Sequence, residues 1–385
     1  MSRARIGPYK NEGADMTHTG KARQRSNSIF SIVAGLTICA AAASVPALAG
    51  GEAGAISLRD QGFFWVGARP KVVETPARPG AAPGTGHIIE GQMYVGYQLA
   101  AKKRHPYPLV LVHGGGGQAT DWMGTPDGRD GWLDYFLAAG FDVYFVDRPA
   151  HGRSPNNRGY GELRPSVTTE QMTNAFLAQS KQYPGGGAPT SKENIQHTAS
   201  SEPGPTVSNT VLQEDLAELL DRIGPAIMVT HSAGGPSGWL AMAARPDKVK
   251  AVLAIEPAMG ITENLAPLIG FKPALAQGET IATVELPAEG AGLNPCRLQA
   301  KDKLHTVPAY AAKKVLFVVS PQSTPMFTPN VHCFVQTLNQ LGADAKLARL
   351  EQDYGIHGNG HFMNEELNNG EIAKKVFIPW LSSIK

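Results

Sequence analysis

Cysteine is scarce in this chain, with three among 385 residues. The cysteines form no closely spaced pair and no H-E-x-x-H run occurs, so the common zinc-binding patterns are missing and no metal site is expected. The charge leans to neither sign: 35 Lys and Arg stand against 33 Asp and Glu. No basic stretch is interleaved with aromatics, which argues against a nucleic-acid partner. Four consecutive glycines, Gly114 to Gly117, lack the Gly-Lys-Ser/Thr that would follow in a phosphate-binding loop. The N-terminal apolar run, residues 29–43, is short of the roughly 20 residues a membrane span needs. No internal repeat is evident.

What remains is the composition of an ordinary globular protein, 42% hydrophobic and 18% charged, long enough to bury a full core. Its 43 glycines and 29 prolines point to many long loops. Lys21, Arg23 and Arg25, then the apolar run, then Ala47-Leu48-Ala49 before Gly50 read as a secretory signal over residues 1–49. Met16 is an alternative start, and a membrane anchor is the competing reading that the short run disfavours. Cleavage after Ala49 would leave 29 basic and 31 acidic residues, so the apparent basicity belongs to the signal. A secreted or periplasmic protein with no stable membrane span is expected. Cys39 would leave with the signal, and Leu36-Thr37-Ile38 make a poor lipoprotein box. Cys296 and Cys333 then remain as an even pair in an oxidising compartment, either disulfide-bonded or as two separate buried thiols.

Residues 50–385 read as one α/β domain. Strands are expected near 63–73 and 87–99, the second alternating as a half-buried strand does, followed by a continuous apolar strand at 108–112. A helix at 131–139 and a strand at 142–146 come next. The helix at 211–222 places Leu212, Leu216, Leu219 and Leu220 on one side. Strands at 227–231, 249–255, 314–319 and 345–350 alternate with helices at 235–244, 330–341 and 372–383. This order predicts a mostly parallel central sheet with helices on both faces. Two insertions, at about 152–209 with a short helix near 169–179 and at about 260–310, start where ligands bind in open α/β sheets and are expected to cap the site.

The chemistry is concentrated at Thr230-His231-Ser232-Ala233-Gly234-Gly235, where an apolar strand runs into a serine among small residues and then into a helix. That is the layout of a nucleophile elbow, except that Thr230 replaces the first glycine. Acyl transfer also needs a base, a group to orient it, and donors for an oxyanion. His113-Gly114-Gly115-Gly116-Gly117 follows a buried strand, and glycines let backbone N–H groups approach a ligand; His113 reads as structural. In the late run from Gly355 to Phe362, His361 is the favoured base and His357 a loop or substrate-edge residue. His231 is expected to point elsewhere and shape the pocket. No carboxylate stands in the part of the loop after the 314–319 strand where the acid would be sought, but one strand earlier Glu256-Pro257 ends an apolar run. A charge there requires pairing, and orienting a histidine supplies it. Asp353 is the runner-up acid.

With these motifs the chain resembles the α/β-hydrolase superfamily over about residues 105–260 and 313–383. Within it the chain is similar to secreted bacterial carboxylesterases whose Ser-Glu-His triad takes its glutamate after strand six. The resemblance implies the α/β-hydrolase fold, a triad of Ser232, Glu256 and His361, and oxyanion donors from Gly114 or Gly115 and from Ala233. It implies hydrolysis of a small-molecule or polymeric ester through an acyl-enzyme, with no cofactor. An amidase or lactonase using the same triad, a non-catalytic binding protein of this fold, and a homodimer are the alternatives that stay open.

Overall fold

The computed structural model describes residues 51 and 53–385, apart from 157–159, 202, 205–206, 259, 261–264, 277–278, 289, 291 and 324–327. The expected signal segment, residues 1–49, lies outside them, and Cys39 with it. The chain opens with β1 (Leu58–Val66), β2 (Arg69–Thr75), β3 (Gly84–Glu90) and β4 (Met93–Ala100). Where the sequence pattern predicts two strands there are four, because a glycine cuts each one. Gly67 and Gly91 have φ of +70° and +82°, a region that L side chains resist. They also pack together: a Cβ on Gly67 would lie 2.8 Å from the Gly91 carbonyl oxygen and 1.8 Å from Asp215 Oδ1. β2 and β3 therefore peel away as a separate antiparallel hairpin.

The rest of the chain alternates as its apolar pattern predicts. It runs through β5 (Leu109–Val112), α1 (Trp132–Ala138), β6 (Val143–Asp147), α2 (Thr169–Met172), α3 (Lys192–Ala199), α4 (Asn209–Ile223), β7 (Ala226–His231), α5 (Gly235–Ala244) and β8 (Val249–Ile255). It continues with α6 (Ala266–Ile269), β9 (Thr283–Leu286), β10 (Cys296–Gln299), β11 (Lys314–Val319), α7 (Val331–Gln340), β12 (Asp344–Arg349), α8 (Leu350–Tyr354), α9 (Asn369–Ile372) and α10 (Ile378–Ser382). The helix expected at 169–179 is α2 running into a π turn at Thr173–Leu177, and the closing helix is α9 and α10 joined by another at Ala373–Phe377. α3 was not evident in the sequence pattern; Ser191 caps it by accepting from the Asn194 N–H at 3.2 Å.

Eight strands form one sheet in the order β1-β4-β6-β5-β7-β8-β11-β12, antiparallel at β1, β4 and β6 and parallel from β6 onward. Strand side chains alternate between faces. Val110, Val112, Met228, Val252 and Phe317 pack with Leu212 and Leu216 of α4, Trp239 of α5 and Leu338 of α7. Leu109, Leu111, Ile227, Val229 and Leu253 pack with Trp132 and Phe136 of α1 and Leu381 of α10. Burial on both faces is why these strands read as unbroken apolar runs. The chain leaves β5 toward β6 on one side, then crosses to β7 on the other. The strand order thus reverses between β5 and β7, where open α/β sheets leave a crevice for ligands at the carboxyl ends of the strands.

Cys296 on β10 and Cys333 on α7 are joined by a disulfide, which selects the first of the two sequence-based readings. It closes a loop with a sequence separation of 37 and tethers the 260–310 segment to the sheet's helical layer. The double variant Cys296→Ser/Cys333→Ser is expected to lose about 2–4 kcal/mol of unfolding free energy. Urea unfolding of both proteins, without reductant, measures it; equal midpoints would show that the bridge adds nothing.

Candidate active site

β7 is buried along its whole length and delivers Ser232 at its C-terminal end. Ser232 has φ +50°, a conformation that costs a non-glycine residue about 1–2 kcal/mol. It opens a short 3₁₀ turn, Ser232–Gly234, that leads straight into α5. The turn can be this tight only because nothing protrudes from it. A Cβ on Gly234 would lie 2.4 Å from the His113 carbonyl oxygen and 2.9 Å from that of Val112. Thr230 lies in the sheet between Val112 and Ala254, fully buried, and its Oγ1 has no hydrogen-bond partner among the described residues. Its side chain is accommodated in the strand, so the glycine expected there is dispensable to the turn.

His361 Nε2 is 3.0 Å from Ser232 Oγ, and its Nδ1 is 3.2 Å from Glu256 Oε2. Both the imidazole and the carboxyl are sealed from solvent. Glu256 leaves β8 with φ +45°, and its N–H donates to the Val318 carbonyl at 2.9 Å, binding the end of β8 to β11. Its Oε1 accepts from the Ser320 N–H at 2.6 Å and from Ser320 Oγ at 3.0 Å, while Ser323 Oγ donates to Oε2. Burial pushes the carboxyl up to about 7, against the opposing pull of the Ser323 and Ser320 hydrogen bonds. Burial likewise pushes the His361 imidazole down to about 3, helped by the nearby His197 charge. His361 is therefore neutral at pH 7, as a proton acceptor must be.

Gly114 and Gly115 lie against this turn. A Cβ on Gly114 would come 3.0 Å from Ser232 Cβ, and one on Gly115 would come 3.3 Å from Ala233 Cβ. The Gly114 carbonyl is held from two directions, by His113 Nδ1 at 2.8 Å and Arg148 Nη2 at 2.5 Å. A trans peptide sets its C=O and N–H in opposite directions, so pinning that carbonyl also aims the N–H of Gly115. His113 Nε2 accepts from the Arg148 N–H at 2.9 Å, which fixes the tautomer with hydrogen on Nδ1. His113 shapes the loop, as the sequence suggests.

His231 donates from Nε2 to the His361 carbonyl at 3.0 Å and so holds the backbone of its neighbour. His357 and Asp353 are not brought to the site. His357 pairs with Glu351 at 2.8 Å on the surface, and the exposed Asp353 of α8 pairs with Arg349 at the end of β12. Residues that the sequence pattern did not single out complete the arrangement. Glu366 accepts from the Gly360 N–H at 2.6 Å, Asn359 Nδ2 at 2.5 Å and Ser180 Oγ at 2.5 Å. Glu365 accepts from His197 Nδ1 at 2.8 Å and from the Tyr183 hydroxyl at 3.2 Å. The Phe176 ring stacks on the His361 imidazole at 5.1 Å. The serines after β11 were visible as an acid loop without an acid; the carboxyls at 365 and 366 gave no signal beyond following His361 closely.

One group of metal-ligand types occurs among the described residues, Cys296, His332 and Cys333, and both sulfurs are already used in the disulfide. No helix among the described residues is long and apolar enough to cross a membrane.

Comparison with known proteins agrees with this architecture. A family model described as the alpha/beta hydrolase family matches residues 109–374. The chain is 32% identical over 340 residues to a protein named "Probable secreted lipase phiG" from Fungal sp. (strain ATCC 74256), with 80% of this chain and 92% of that protein covered. Among solved structures it is similar to one described as that of a novel bacterial esterase, with a TM-score of 0.65, 22% identity, and 86% and 98% of the two chains covered. That likeness bears on the fold.

Thr230 yields a test independent of chemistry. Removing a buried hydroxyl that has no partner, while keeping the shape of the side chain, relieves a desolvation cost. Thr230→Val is expected to raise the unfolding free energy by about 1 kcal/mol. Denaturant unfolding checks this, and a destabilised variant would mean that the hydroxyl is bonded in solution.

Proposed function

The chain belongs to the alpha/beta hydrolase family, and from that premise we propose that it is a secreted serine esterase. In this reading Ser232 is the nucleophile, His361 the base, and Glu256 the group that orients it. The reading is carried by one observation: an unbroken relay from Ser232 Oγ through both ring nitrogens of His361 to a carboxyl with no exposed surface.

The steps follow from the geometry. A substrate ester carbonyl settles between Ser232 and the Gly114–Gly115 loop. Oγ attacks the carbonyl carbon as its proton passes to His361 Nε2, and Glu256 stabilises the imidazolium through Nδ1–H. The N–H groups of Ala233 and of Gly114 or Gly115 hold the tetrahedral oxyanion, each such donor being worth about two to three orders of magnitude in rate. His361 then returns the proton to the leaving alcohol, and the acyl group remains on Ser232. A water molecule, deprotonated by His361, releases the acid. The long segments at 152–209 and 260–310 are read as caps over this site, the first contributing Phe176 beside His361. Export is supported by the signal-like N-terminus, by the disulfide, and by the printed name of the fungal relative.

Hydrolysis of short-chain 4-nitrophenyl esters tests the assignment. Ser232→Ala should fall to background, about six orders of magnitude, and Glu256→Gln should lose about four while both stay folded. Wild-type rates from Ser232→Ala would sink the reading, and full activity in Glu256→Gln would remove the acid.

The pH profile is the second check. A proton on the Glu256 and His361 pair is inactivating wherever it rests. On His361 it removes the base; on Glu256 it is donated to Nδ1 and forces hydrogen onto Nε2. With the carboxyl raised to about 7 by burial, kcat/KM should climb about tenfold per pH unit below neutrality and level off above it. A profile already flat at pH 5 would contradict this.

A further inference from the structure

The 152–209 segment holds a groove that the relay at Ser232 does not use. Its volume is about 620 Å³, within the range of about 300–1,000 Å³ common for small-molecule sites. Pro165, Val167, Ala175 and Phe176 supply its apolar lining, and the remainder is hydroxyl and amide. None of these lining residues carries a charge. Val167 leaves 44% of its surface open, and Pro165 and Ala175 are exposed as well, so this lining is accessible surface rather than packed core.

The wall of the groove is held in place. Thr168 caps α2 by accepting from the Gln171 N–H at 3.2 Å, while Gln171 Oε1 accepts from the Thr168 N–H at 2.9 Å. α2 then widens into the π turn at Thr173–Leu177, a local form frequent at functional sites. Thr173 Oγ1 anchors the turn by donating to the Gly187 carbonyl at 2.7 Å, and Leu177 is buried with Met172 and Tyr183. Phe176, between these anchors, is only half-buried. Its ring lines the groove and also stacks on the His361 imidazole, with centroids 5.1 Å and planes 28° apart. One side chain therefore joins the groove to the histidine.

The proton transfers decide which half of an ester lies beside that histidine. Nε2 takes the proton from Ser232 and hands it to the departing alcohol, so the alcohol oxygen must come within about 2.6–3.2 Å of Nε2. The acyl carbon is instead bonded to Ser232 Oγ, with its oxygen turned to the Gly114–Gly115 loop. We propose that the 165–176 groove takes the alcohol portion of the substrate, that this portion is an uncharged apolar group such as an arylalkyl chain, and that Phe176 is the residue that selects it. The inference rests on the esterase reading and narrows its substrate class. A carbon chain beyond the alcohol oxygen gains by burying apolar surface against Phe176 and Val167, whereas the lining offers a charged alcohol no counter-ion.

Three neutral esters test it: ethyl acetate, 2-phenylethyl acetate, with a phenyl group added on the alcohol side, and ethyl 3-phenylpropanoate, with one added on the acyl side. The readout is kcat/KM relative to ethyl acetate. For wild type the alcohol-side phenyl should raise it about tenfold or more, and by more than the acyl-side phenyl does. Phe176→Ala should cut the alcohol-side gain at least about fivefold, and Val167→Asp, a change at an exposed position, should cut it about threefold or more. Because Phe176 also packs on His361, its variant is expected to be slower on all three esters, and that loss cancels in the ratio. A wild-type alcohol-side gain no larger than the acyl-side gain, or one that neither variant lowers, would overturn the proposal. The wild-type comparison decides even if a variant fails to fold. Turnover of ethyl acetate by wild type keeps the esterase reading whatever the gains are; no hydrolysis of any of the three removes both.

Discussion

A carboxyl group that water cannot reach needs enough donors around it to replace hydration, and the centre of this protein is organised by that need. Glu256 has the Ser320 N–H, two serine hydroxyls and an imidazole around two oxygens. The donors do not come from its own strand. The carboxyl is delivered by β8 and its serine partners by the loop after β11, so the orientation of His361 depends on the register that sets Ile255 against Val318. A slip between those strands would separate the acid from its donors and leave a charge unsatisfied in the interior.

The histidine side is built the same way, with a second buried carboxyl as organiser. Glu366 gathers the Gly360 N–H, Asn359 and Ser180, while Glu365 draws in His197 and Tyr183 from the same long segment. Backbone bonds from Lys181 to Gly358 and from Leu367 to Gln182 add to the joint. The loop that presents His361 is thus clamped between the sheet and residues 180–200. Positioning by packing and backbone bonds is what holds a catalytic constellation within the small tolerances that chemistry demands.

Much of this was legible in the sequence because the signals were local. Buried parallel strands appear as apolar runs, the turn at Ser232 as small residues after such a run, and Glu256 as a charge where burial was otherwise complete. The failures were of a different kind. Gly67 and Gly91 cut two expected strands because they pack on each other, a contact between residues 24 apart that no periodicity records. Ser320 and Ser323 were in view as an acid loop lacking an acid, yet their role depends on a carboxyl 64 and 67 positions earlier. Glu365 and Glu366 sat beside the histidine, but Ser180, Tyr183 and His197, which they hold, lie about 170–190 residues upstream. Spacing announces elements and turns; it does not announce which distant side chain satisfies a buried charge.

The clamp between residues 180–200 and the histidine loop also bears on descent. Ser180, Tyr183 and His197 cannot drift one at a time, since each leaves a buried carboxyl short of a donor, so this segment and the loop should be inherited as a unit and change together. The 260–310 segment is tied differently: Leu265, Ile269, Phe271, Val307 and Tyr310 pack in the core and the disulfide and Gln299 hold it to α7, but β9 is exposed along its length. Lineages carrying this fold have more freedom to rewrite the exposed part of that second segment, and divergence among relatives should collect there.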